Sequence, residues 1–354
     1  MTKKVLMKGN EAIAEAAVRG GCRFFFGYPI TPQTEIPEYL SWRLFEVGGD
    51  FVQAESEVAA INMVYGAGGA GGRAMTSSSS PGISLKQEGI SYMAMAEVPA
   101  VVVNMVRAGP GLGGIQPAQS DYAQAVKGGG HGDYKLLVYA PATIQEAVDL
   151  MYMAWDKAEQ YRIPVFILGD GMMGQLMEPV ELPPMKQPND PEKFDWATTG
   201  THYGDERRIV NSLYLKSEEC LEQNYRLQAK YREIEKKEVI CEAIDCDDAE
   251  IVLTAYGSVG RICKSALPIL REKGVKVGLI RPTTLFPFAT KVFEEVANKP
   301  NVKRFLTVEL SAGQYNEDVR LAVNGKKPID LLCRMGGEVM SPEDIVEKVM
   351  EVIK

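Results

Sequence analysis

Histidine and closely spaced cysteine are what this sequence has least of. Its 354 residues include two histidines and six cysteines, and no two cysteines stand in a Cys-x-x-Cys spacing. Neither a zinc site nor an iron–sulfur cluster held by this chain alone is therefore expected. We predict free thiols, as in a cytoplasmic protein, and no metal ligands contributed by this chain.

Long apolar runs are also missing. The longest stretch, from Val98 to Val106, is interrupted by Asn104 and falls well short of the roughly 20 residues that cross a membrane. Glu11 and Glu15 lie where a signal peptide would be uninterruptedly apolar. We therefore predict neither membrane attachment nor export, and a cytoplasmic location.

Basic residues are fewer than acidic ones. Lysine and arginine total 39 against 47 aspartates and glutamates, which gives a net charge of −8 and a sequence pI near 5.2. Such a chain repels phosphate at long range, so no nucleic-acid partner is expected. The hydrophobic fraction of 45% and the charged fraction of 24% are typical of globular proteins, and the length suggests two domains.

Strand and helix patterns alternate over residues 1–178. Strands separated by helical stretches of this length predict βαβ units, and hence an α/β domain with a parallel sheet covered on both faces. The β-branched run Ala100–Val106 is the clearest strand. The predicted strands are Cys22–Phe26, Phe51–Gln53, Arg73–Ser77, Ala100–Val106, Leu136–Tyr139 and Pro164–Leu168, and the predicted helices are Glu11–Arg19, Thr34–Phe45, Ser56–Ala67 and Thr143–Gln160.

Residues 179–245 have a different pattern. Five prolines between Pro179 and Pro191 predict an extended linker. A charged helix follows at about Lys216–Glu238, and its narrow apolar stripe predicts packing on another surface, of this chain or of a partner. Residues 246–354 predict a second parallel-sheet α/β domain, with strands at Ile251–Ala255, Lys276–Ile280 and Arg304–Val308.

The pattern G-x-G-x-x-G occurs three times, starting at Gly66, Gly109 and Gly169. Dinucleotide binding requires a strand before this pattern and a helix after it. The first copy follows a predicted helix, and prolines after the other two predict no helix there. We therefore interpret these glycines as turns and do not predict a nicotinamide site.

Three side chains suited to chemistry follow predicted strands. Thr31 lies in the turn G-Y-P-I-T-P (27–32), Glu57 at the next strand-to-helix junction, and Arg107 at the end of Ala100–Val106. Carboxyl ends of parallel strands meet at one sheet edge, so these groups are predicted to converge on a ligand. An arginine suits bidentate capture of a carboxylate such as that of a 2-oxoacid.

Each of these residues also has a structural alternative. Thr31 could cap the helix that follows it, and Glu57 could be a first-turn acid favoured by the helix dipole. Arg107 could pair with Asp121 or Asp133 in a structural ion pair. The residues by themselves therefore predict a small-molecule site at the top of the first sheet, and no particular reaction.

Five segments taken together carry a resemblance: M-K-G-N-E-A-I-A-E-A-A, G-Y-P-I-T-P-Q-T-E-I, E-S-E-V-A-A-I-N-M-V-Y-G-A, T-S-S-S-S-P-G-I-S-L and N-M-V-R-A-G-P-G. They are similar to the 2-oxoacid:ferredoxin oxidoreductase family, in the subunit with the thiamine diphosphate pyrimidine-binding domain, and closest to the branched-chain (3-methyl-2-oxobutanoate, or ketoisovalerate) type. Residues 251–354, with Y-G-S-V-G-R and R-P-T-T-L-F-P-F, resemble that subunit's transketolase C-terminal-like domain.

The resemblance implies roles for the three side chains. Glu57 matches the glutamate that donates a hydrogen bond to N1′ of the aminopyrimidine, favouring the imino tautomer whose 4′ nitrogen takes the thiazolium C2 proton. Thr31 matches a threonine that lies against cofactor and substrate, and Arg107 matches an arginine directed at the substrate carboxylate. The implied catalytic residues are Glu57, Thr31 and Arg107, and the implied cofactor-binding residues are Tyr28, Pro29, Ile30, Thr31 and Glu57.

The resemblance also implies partner chains. Gly169-Asp170-Gly171 begins the Mg²⁺–diphosphate motif of thiamine enzymes, but no Asn lies at the required spacing, near Trp196–Thr201. Mg²⁺ and the diphosphate are therefore expected on a β-type subunit that shares the cofactor. A γ-type subunit and a ferredoxin-like subunit with [4Fe–4S] clusters would complete the complex, with a 2-oxoacid and coenzyme A as substrates. Glu55 is implied as an interface acid or one that supports the site.

Several alternatives stay open at this stage. A 2-oxoglutarate or pyruvate enzyme is one, and a 2-oxoglutarate enzyme would use an extra cation such as Arg73 or Lys86. A classical transketolase-like or dehydrogenase component is another, although its own diphosphate motif is absent. A non-catalytic scaffold subunit is the last. Five methionines could line an apolar substrate pocket, although core packing is the more frequent role of methionine: Met63, Met75, Met93, Met95 and Met105.

Overall fold

The computed structural model describes residues 4–200 and 206–353. Strands and helices alternate along both halves of this part of the chain. The strands are β1 (Val5–Lys8), β2 (Phe24–Gly27), β3 (Asp50–Gln53), β4 (Ala74–Ser78), β5 (Ala100–Val106), β6 (Leu137–Tyr139), β7 (Pro164–Asp170), β8 (Met177–Val180), β9 (Cys241–Ile244), β10 (Ile251–Thr254), β11 (Val277–Pro282), β12 (Thr284–Phe286), β13 (Arg304–Glu309) and β14 (Ile329–Cys333).

The helices cover the faces of the sheets that these strands form. They are α1 (Gly9–Arg19), α2 (Glu35–Glu46), α3 (Glu57–Gly69), α4 (Ser80–Met95), α5 (Ile144–Tyr161), α6 (Gly171–Gln175), α7 (Ser217–Lys237), α8 (Gly257–Glu272), α9 (Thr290–Ala297), α10 (Gln314–Val323) and α11 (Pro342–Val352). None of the helices in the described ranges is long and apolar enough to cross a membrane.

The first sheet has seven strands in the order β12-β6-β7-β5-β4-β2-β3. Its pairs are parallel except for β12, which runs antiparallel to β6. Every residue of β4, β5 and β7 is buried, as expected for a parallel sheet with helices on both faces. All six strands predicted in this half are present, with ends that differ by at most two residues.

The second sheet has five strands in the order β14-β13-β10-β11-β9, and only β9 is antiparallel to its neighbour. The predicted α/β class with two sheets, each largely parallel, is therefore confirmed. A small third sheet pairs β1 with β8 antiparallel. Neither of these two short strands was predicted, because four residues with mixed burial carry little periodic signal.

Two strands pair with segments outside the predicted domain to which they belong. Cys241–Ile244 lies in the stretch predicted as a linker with a charged helix, yet it forms the edge of the second sheet. Thr284–Phe286 lies in the second half of the chain, yet it pairs with β6 and extends the first sheet. Both are short strands whose position depends on pairing between distant segments, which a local pattern does not encode.

The charged helix α7 packs on this chain itself. Its buried stripe consists of Gln223, Leu227, Tyr231 and Ile234. Gln223 Nε2 donates to the carbonyl oxygen of Met95 at 3.0 Å, and the Tyr231 ring lies 6.4 Å from that of Phe286. The sequence predicted that this stripe packs either on this chain or on a partner, and in the structure it packs on this chain.

The two halves of the chain meet behind the carboxyl edge of the first sheet. Gln119 Nε2 donates to the Tyr256 carbonyl at 3.0 Å, and its Oε1 accepts from the Leu310 N–H at 3.0 Å. Arg281 in β11 reaches Glu146 in α5 with two hydrogen bonds, at 2.9 and 2.6 Å. The Gln119 bonds hold the second half of the chain against the loop that follows β5, and the Arg281 bonds hold it against α5.

Candidate active site

The predicted site residues lie on one edge of the first sheet. Strands β5, β4, β2 and β3 are neighbours in that order. Thr31 follows β2, Glu57 opens α3 directly after β3, and Arg107 is the first residue past β5. The three residues thus follow strands that lie close together in the sheet, as expected for the carboxyl ends of parallel strands.

Glu57 is buried at the start of α3. Ser56 caps this helix, because its Oγ accepts a hydrogen bond from the Ala59 N–H at 3.2 Å. Glu57 is 7% exposed, whereas Glu38 in the first turn of α2 and Glu55 are exposed. Glu57 does lie in the first turn of α3, where the helix dipole favours an acid, but unlike those two glutamates it is covered by the protein.

A glycine on the neighbouring helix makes room for the Glu57 side chain. A Cβ atom on Gly82 in α4 would lie 2.7 Å from Glu57 Oε1 and 2.1 Å from Ser78 Oγ. The carboxyl oxygen and this hydroxyl therefore both lie close to the position that a Gly82 side chain would occupy. Contacts under 3.0 Å are not sustained by real Cβ atoms, so only glycine fits here without displacing them.

Arg107 joins the strand end to the turn that carries Thr31. Its guanidinium donates to the carbonyl oxygens of Thr31 and Leu112, both at 3.0 Å. It does not form the structural ion pair that was its alternative, since Asp121 accepts instead from Asn104 Nδ2 at 2.8 Å. Arg107 is 7% exposed, and its Nε has no hydrogen-bond partner among the described residues.

The helix α4 connects Arg107 with Glu57. Ser80 Oγ accepts from the Arg107 N–H at 3.0 Å and lies 3.2 Å from the Arg107 carbonyl oxygen. Gly82, which borders Glu57, is two residues further along the same helix. The first turn of α4 therefore contacts the Arg107 backbone through Ser80 and lies next to the Glu57 carboxylate through Gly82.

The turn 27–32 presents its residues outward. Tyr28, Pro29 and Thr31 are exposed and Ile30 is half-buried. Thr31 does not cap α2, because that position belongs to Thr34, whose side chain makes no capping bond. Gln33 is fully buried and anchors the turn, accepting a short hydrogen bond from Ser77 Oγ.

Two serine hydroxyls near this edge were not predicted from the sequence, and Lys86 was considered only as an extra cation for a 2-oxoglutarate substrate. The hydroxyls of Ser78 and Ser79 are buried and have no partner among the described residues. Lys86 is 0% exposed. Burial lowers the pKa of its ammonium group to about 7, and the charge of Glu57 opposes that shift. The available signal was the run T-S-S-S-S-P-G, which spans the end of β4 and the start of α4 and has its proline near the start of the helix.

Two other candidates have structural roles. Asp170 caps the short helix α6 by accepting from the Met173 N–H at 3.0 Å, and burial raises its pKa. That helix follows the third glycine pattern, where none was predicted. Asn189 Nδ2 donates to the Gly71 carbonyl at 2.7 Å. The Gly-Asp-Gly segment therefore has no asparagine partner at this point of the described chain.

Most of the cations and methionines that the sequence suggested for substrate recognition are bonded to other groups or packed in the core. Arg73 donates to Glu159 at 2.7 and 2.6 Å and to Asp156 at 3.1 Å, so its charge is already paired. Lys86 donates to strand β4 rather than to a cavity. Three of the five methionines are fully buried core residues: Met75, Met93 and Met105.

A cavity of about 670 Å³ opens beside Thr31. The turn 27–32, the loop after β5, helix α6 and Val339 from the second half of the chain all line it. Apolar side chains around this edge are exposed, Leu112 to 80%. The exposed apolar residues here are Tyr28, Val52, Val58, Leu85, Leu112 and Ile115.

Two family models match the chain in succession. The model for the thiamine diphosphate-binding part of pyruvate flavodoxin/ferredoxin oxidoreductases matches residues 15–239. The model for core domain II of pyruvate:ferredoxin oxidoreductase matches residues 249–345. The first alone covers more than half of the chain.

Individual relatives agree with these models. The chain is 48% identical over 347 residues to ketoisovalerate oxidoreductase subunit VorB of Methanothermobacter thermautotrophicus, covering 98% of this chain and 97% of the relative. It is 36% identical over 372 residues to 2-oxoglutarate synthase subunit KorA of Methanocaldococcus jannaschii, covering 98% and 100%.

A solved structure extends this similarity to the fold. The 2-oxoglutarate:ferredoxin oxidoreductase from Magnetococcus marinus superposes with a TM-score of 0.85 at 27% identity, and the match spans all of this chain and 66% of that chain. The resemblance first noted in the sequence motifs is confirmed: the chain belongs to the pyruvate flavodoxin/ferredoxin oxidoreductase family.

Proposed function

We propose that this chain is the pyrimidine-side subunit of a coenzyme A-dependent 2-oxoacid:ferredoxin oxidoreductase, which forms acyl-CoA and CO₂ and passes electrons to ferredoxin. The observation that carries the proposal is a buried carboxylate, a turn hydroxyl and a buried guanidinium on one sheet edge. The preferred substrate class is a branched-chain 2-oxoacid such as 3-methyl-2-oxobutanoate, which the 48% identity to a ketoisovalerate oxidoreductase subunit supports.

The residues at the edge fit thiamine diphosphate. The Glu57 carboxyl group and the hydroxyls of Ser78 and Ser79 supply buried polar atoms, two of them without a partner in the described chain. Gly82 leaves space between them. Tyr28, Pro29, Ile30 and Thr31 would form the outer wall for the pyrimidine. When bound, thiamine diphosphate supplies an electron sink for decarboxylation.

The roles of the side chains follow from their positions. Glu57 would hold a proton toward N1′ of the pyrimidine, and its burial excludes the water that would compete for that proton. Thr31 would lie between cofactor and substrate at the mouth of the 670 Å³ cavity. Arg107, fixed by the carbonyls of Thr31 and Leu112, would direct its remaining donors at the substrate carboxylate.

The site is proposed to be half of an active site. The exposed apolar rim supports a second chain that covers it. We assign Mg²⁺ and the diphosphate to a β-type subunit, and the [4Fe–4S] clusters to a ferredoxin-like subunit, with a γ-type subunit completing a cytoplasmic complex. Within this chain we propose a pyrimidine-binding domain at 1–178, a connecting segment at 179–245 and a transketolase C-terminal-like domain at 246–354.

Reconstitution tests the proposed function directly. The purified chain alone is expected to have no oxidoreductase activity and to bind thiamine diphosphate weakly, because half of the cofactor's contacts lie on another subunit. Adding the diphosphate-binding subunit should restore binding, and the complete complex should reduce ferredoxin with a 2-oxoacid and coenzyme A. Comparing pyruvate, 2-oxoglutarate and 3-methyl-2-oxobutanoate then identifies the acid. Tight cofactor binding by the lone chain would contradict the shared site.

Arg107 is expected to control the affinity for the 2-oxoacid. Replacing it by leucine should raise the KM for the 2-oxoacid by about 10- to 100-fold, because the free energy of a hydrogen bond to a charged group corresponds to a change in affinity of this size. The KM for thiamine diphosphate should change much less. Arg107→Lys is the matched control: it keeps the charge and should recover part of the loss, since lysine lacks the bidentate geometry. Equal changes in both KM values would assign Arg107 to the support of the turn instead.

A further inference from the structure

A residue of the second half of the chain reaches the cavity beside Thr31. Val339 lines this cavity together with Ile115 from the loop after β5 and Met172 from α6. It lies in the loop 334–341, which joins β14 to α11. The roles proposed above use side chains of the first half only, and they leave Val339 unassigned.

Close packing between two loops holds Val339 at the cavity. The loop 334–341 meets the loop after β5 at Gly337, where φ is +92° and a Cβ atom would lie 2.4 Å from Gln116 Cβ. Only glycine permits this approach. The residue after Val339, Met340, is 2% exposed and packs in the apolar core of the second half. Val339 is therefore anchored on both sides, while it is itself 42% exposed.

The wall of this cavity carries one charge, and that charge is negative. Among the described lining residues, Glu35 is the one with an ionisable side chain. Gln175 Nε2 donates to both of its carboxylate oxygens, at 2.9 and 3.0 Å, and Asn10 Nδ2 donates to Oε2 at 2.7 Å. Burial by itself would raise the pKa of Glu35, but these hydrogen bonds lower the pKa overall, so the carboxylate is ionised at neutral pH.

The cations close to the cavity are already engaged. Lys8 Nζ lies 3.4 Å from Glu35 Oε1 and is not among the described residues that line the wall. Arg107 donates to the Thr31 carbonyl at 3.0 Å and is the proposed partner of the substrate carboxylate. A second carboxylate on the substrate would therefore meet Glu35 and apolar side chains. Placing like charges together costs free energy, and a site can reject a competing ligand in this way.

We propose that Val339 is a specificity-determining residue: it completes the apolar wall against which the side chain of the 2-oxoacid packs, and it thereby favours an uncharged aliphatic side chain over one with a second carboxylate. This inference rests on the proposed function, because it places the substrate carboxylate at Arg107 and the carbon chain in the cavity. A volume of about 670 Å³ is typical of pockets for drug-sized ligands. Polarity, rather than size, is therefore expected to discriminate between small 2-oxoacids.

Charge substitutions at Val339 test this role in the complete complex. The readout is the kcat/KM for 3-methyl-2-oxobutanoate divided by the kcat/KM for 2-oxoglutarate. Val339→Lys is expected to lower this ratio by about 10- to 100-fold relative to Val339→Gln, because a hydrogen bond to a charged group corresponds to an affinity change of this size. Val339→Glu, which has the opposite charge, should raise the ratio. Since Val339 is 42% exposed, these variants do not require a charge to be buried in the folded chain.

Inhibition by acids that cannot be decarboxylated separates binding from turnover. The inhibition constant of glutarate, a dicarboxylate, should fall in Val339→Lys, whereas that of the branched monocarboxylate 3-methylbutanoate should not. Leu321→Lys is the matched control. Leu321 lies on α10 in the same half of the chain, is 73% exposed and is not among the described residues that line the cavity. The ratio of kcat/KM values should therefore stay unchanged in Leu321→Lys.

The two proposals fail in different ways. If the wild-type complex oxidises no 2-oxoacid, the proposed function itself is wrong. If it uses 2-oxoglutarate at least as well as 3-methyl-2-oxobutanoate, the oxidoreductase function stands but the inference is wrong, and this comparison needs no variant. A ratio that moves in the same direction in Val339→Lys and Val339→Glu, or in neither, would also overturn the role of Val339. Opposite shifts in these two variants, with none in Leu321→Lys, are the result that supports it.

Discussion

Glu57→Gln is expected to lower the turnover of the reconstituted complex by about 10²- to 10⁴-fold, the range for loss of a positioned proton-transfer group. Glutamine preserves the shape of the side chain but cannot hold a proton between its oxygen and N1′. Because Glu57 is 7% exposed, bulk water cannot replace it. Steady-state kinetics of the complex with saturating 2-oxoacid and coenzyme A measure the effect.

A second first-turn glutamate provides the control. Glu38 lies in the first turn of α2 as Glu57 does in α3, but it is exposed. If Glu57 served only the helix dipole, Glu38→Gln and Glu57→Gln would have similar small effects on stability and neither would affect turnover. Unchanged turnover in Glu57→Gln would favour a non-catalytic scaffold subunit.

Gly82→Ala is expected to lower turnover about as strongly as the substitution of a residue that takes part in the reaction. The added methyl would lie 2.1 Å from Ser78 Oγ and 2.7 Å from Glu57 Oε1, so one or both side chains must move. A displacement of about 1 Å at a reacting group can cost about 100-fold in rate. Overpacking should also lower the free energy of unfolding by about 1–3 kcal/mol. Turnover and denaturant unfolding measure the two effects.

Gly66→Ala is the matched control for this variant. Gly66 lies inside α3, the helix that begins with Glu57, and a Cβ atom there meets nothing within 4 Å. Alanine should therefore raise the free energy of unfolding by about 0.5–1 kcal/mol through its better helix propensity, with turnover unchanged. Similar losses in both variants would show that general disturbance of the helices, and not the contact with Glu57, causes the effect.

The residues that the sequence could identify are those attached to strong local patterns. Thr31, Glu57 and Arg107 each follow a strand of the parallel part of the first sheet, and parallel strands in βαβ units place their carboxyl ends together. The strand Ala100–Val106 has the predicted ends because a β-branched run of this length has little alternative. Fold class and the edge that carries the site were therefore predictable.

The residues that the sequence could not identify depend on contacts between distant segments. Helix α4 begins inside a run of serines, and the burial of Lys86 becomes visible only once α4 packs beside β4 and α3. Strands β9 and β12 are placed by pairing partners far away in the chain. Local propensity does not encode such pairings, because packing against the rest of the fold overrides it.

The sequence by itself determined the α/β class and the family, and it pointed to the three side chains of the proposed site, because each of these is carried by short segments that can be interpreted without the rest of the chain. Only the tertiary structure decided which charges are buried, which hydroxyls lack a partner and which glycine leaves room for the carboxylate. The reason is physical: burial and close contact are properties of surfaces brought together from separate segments, and they set the cost of every charge placed there.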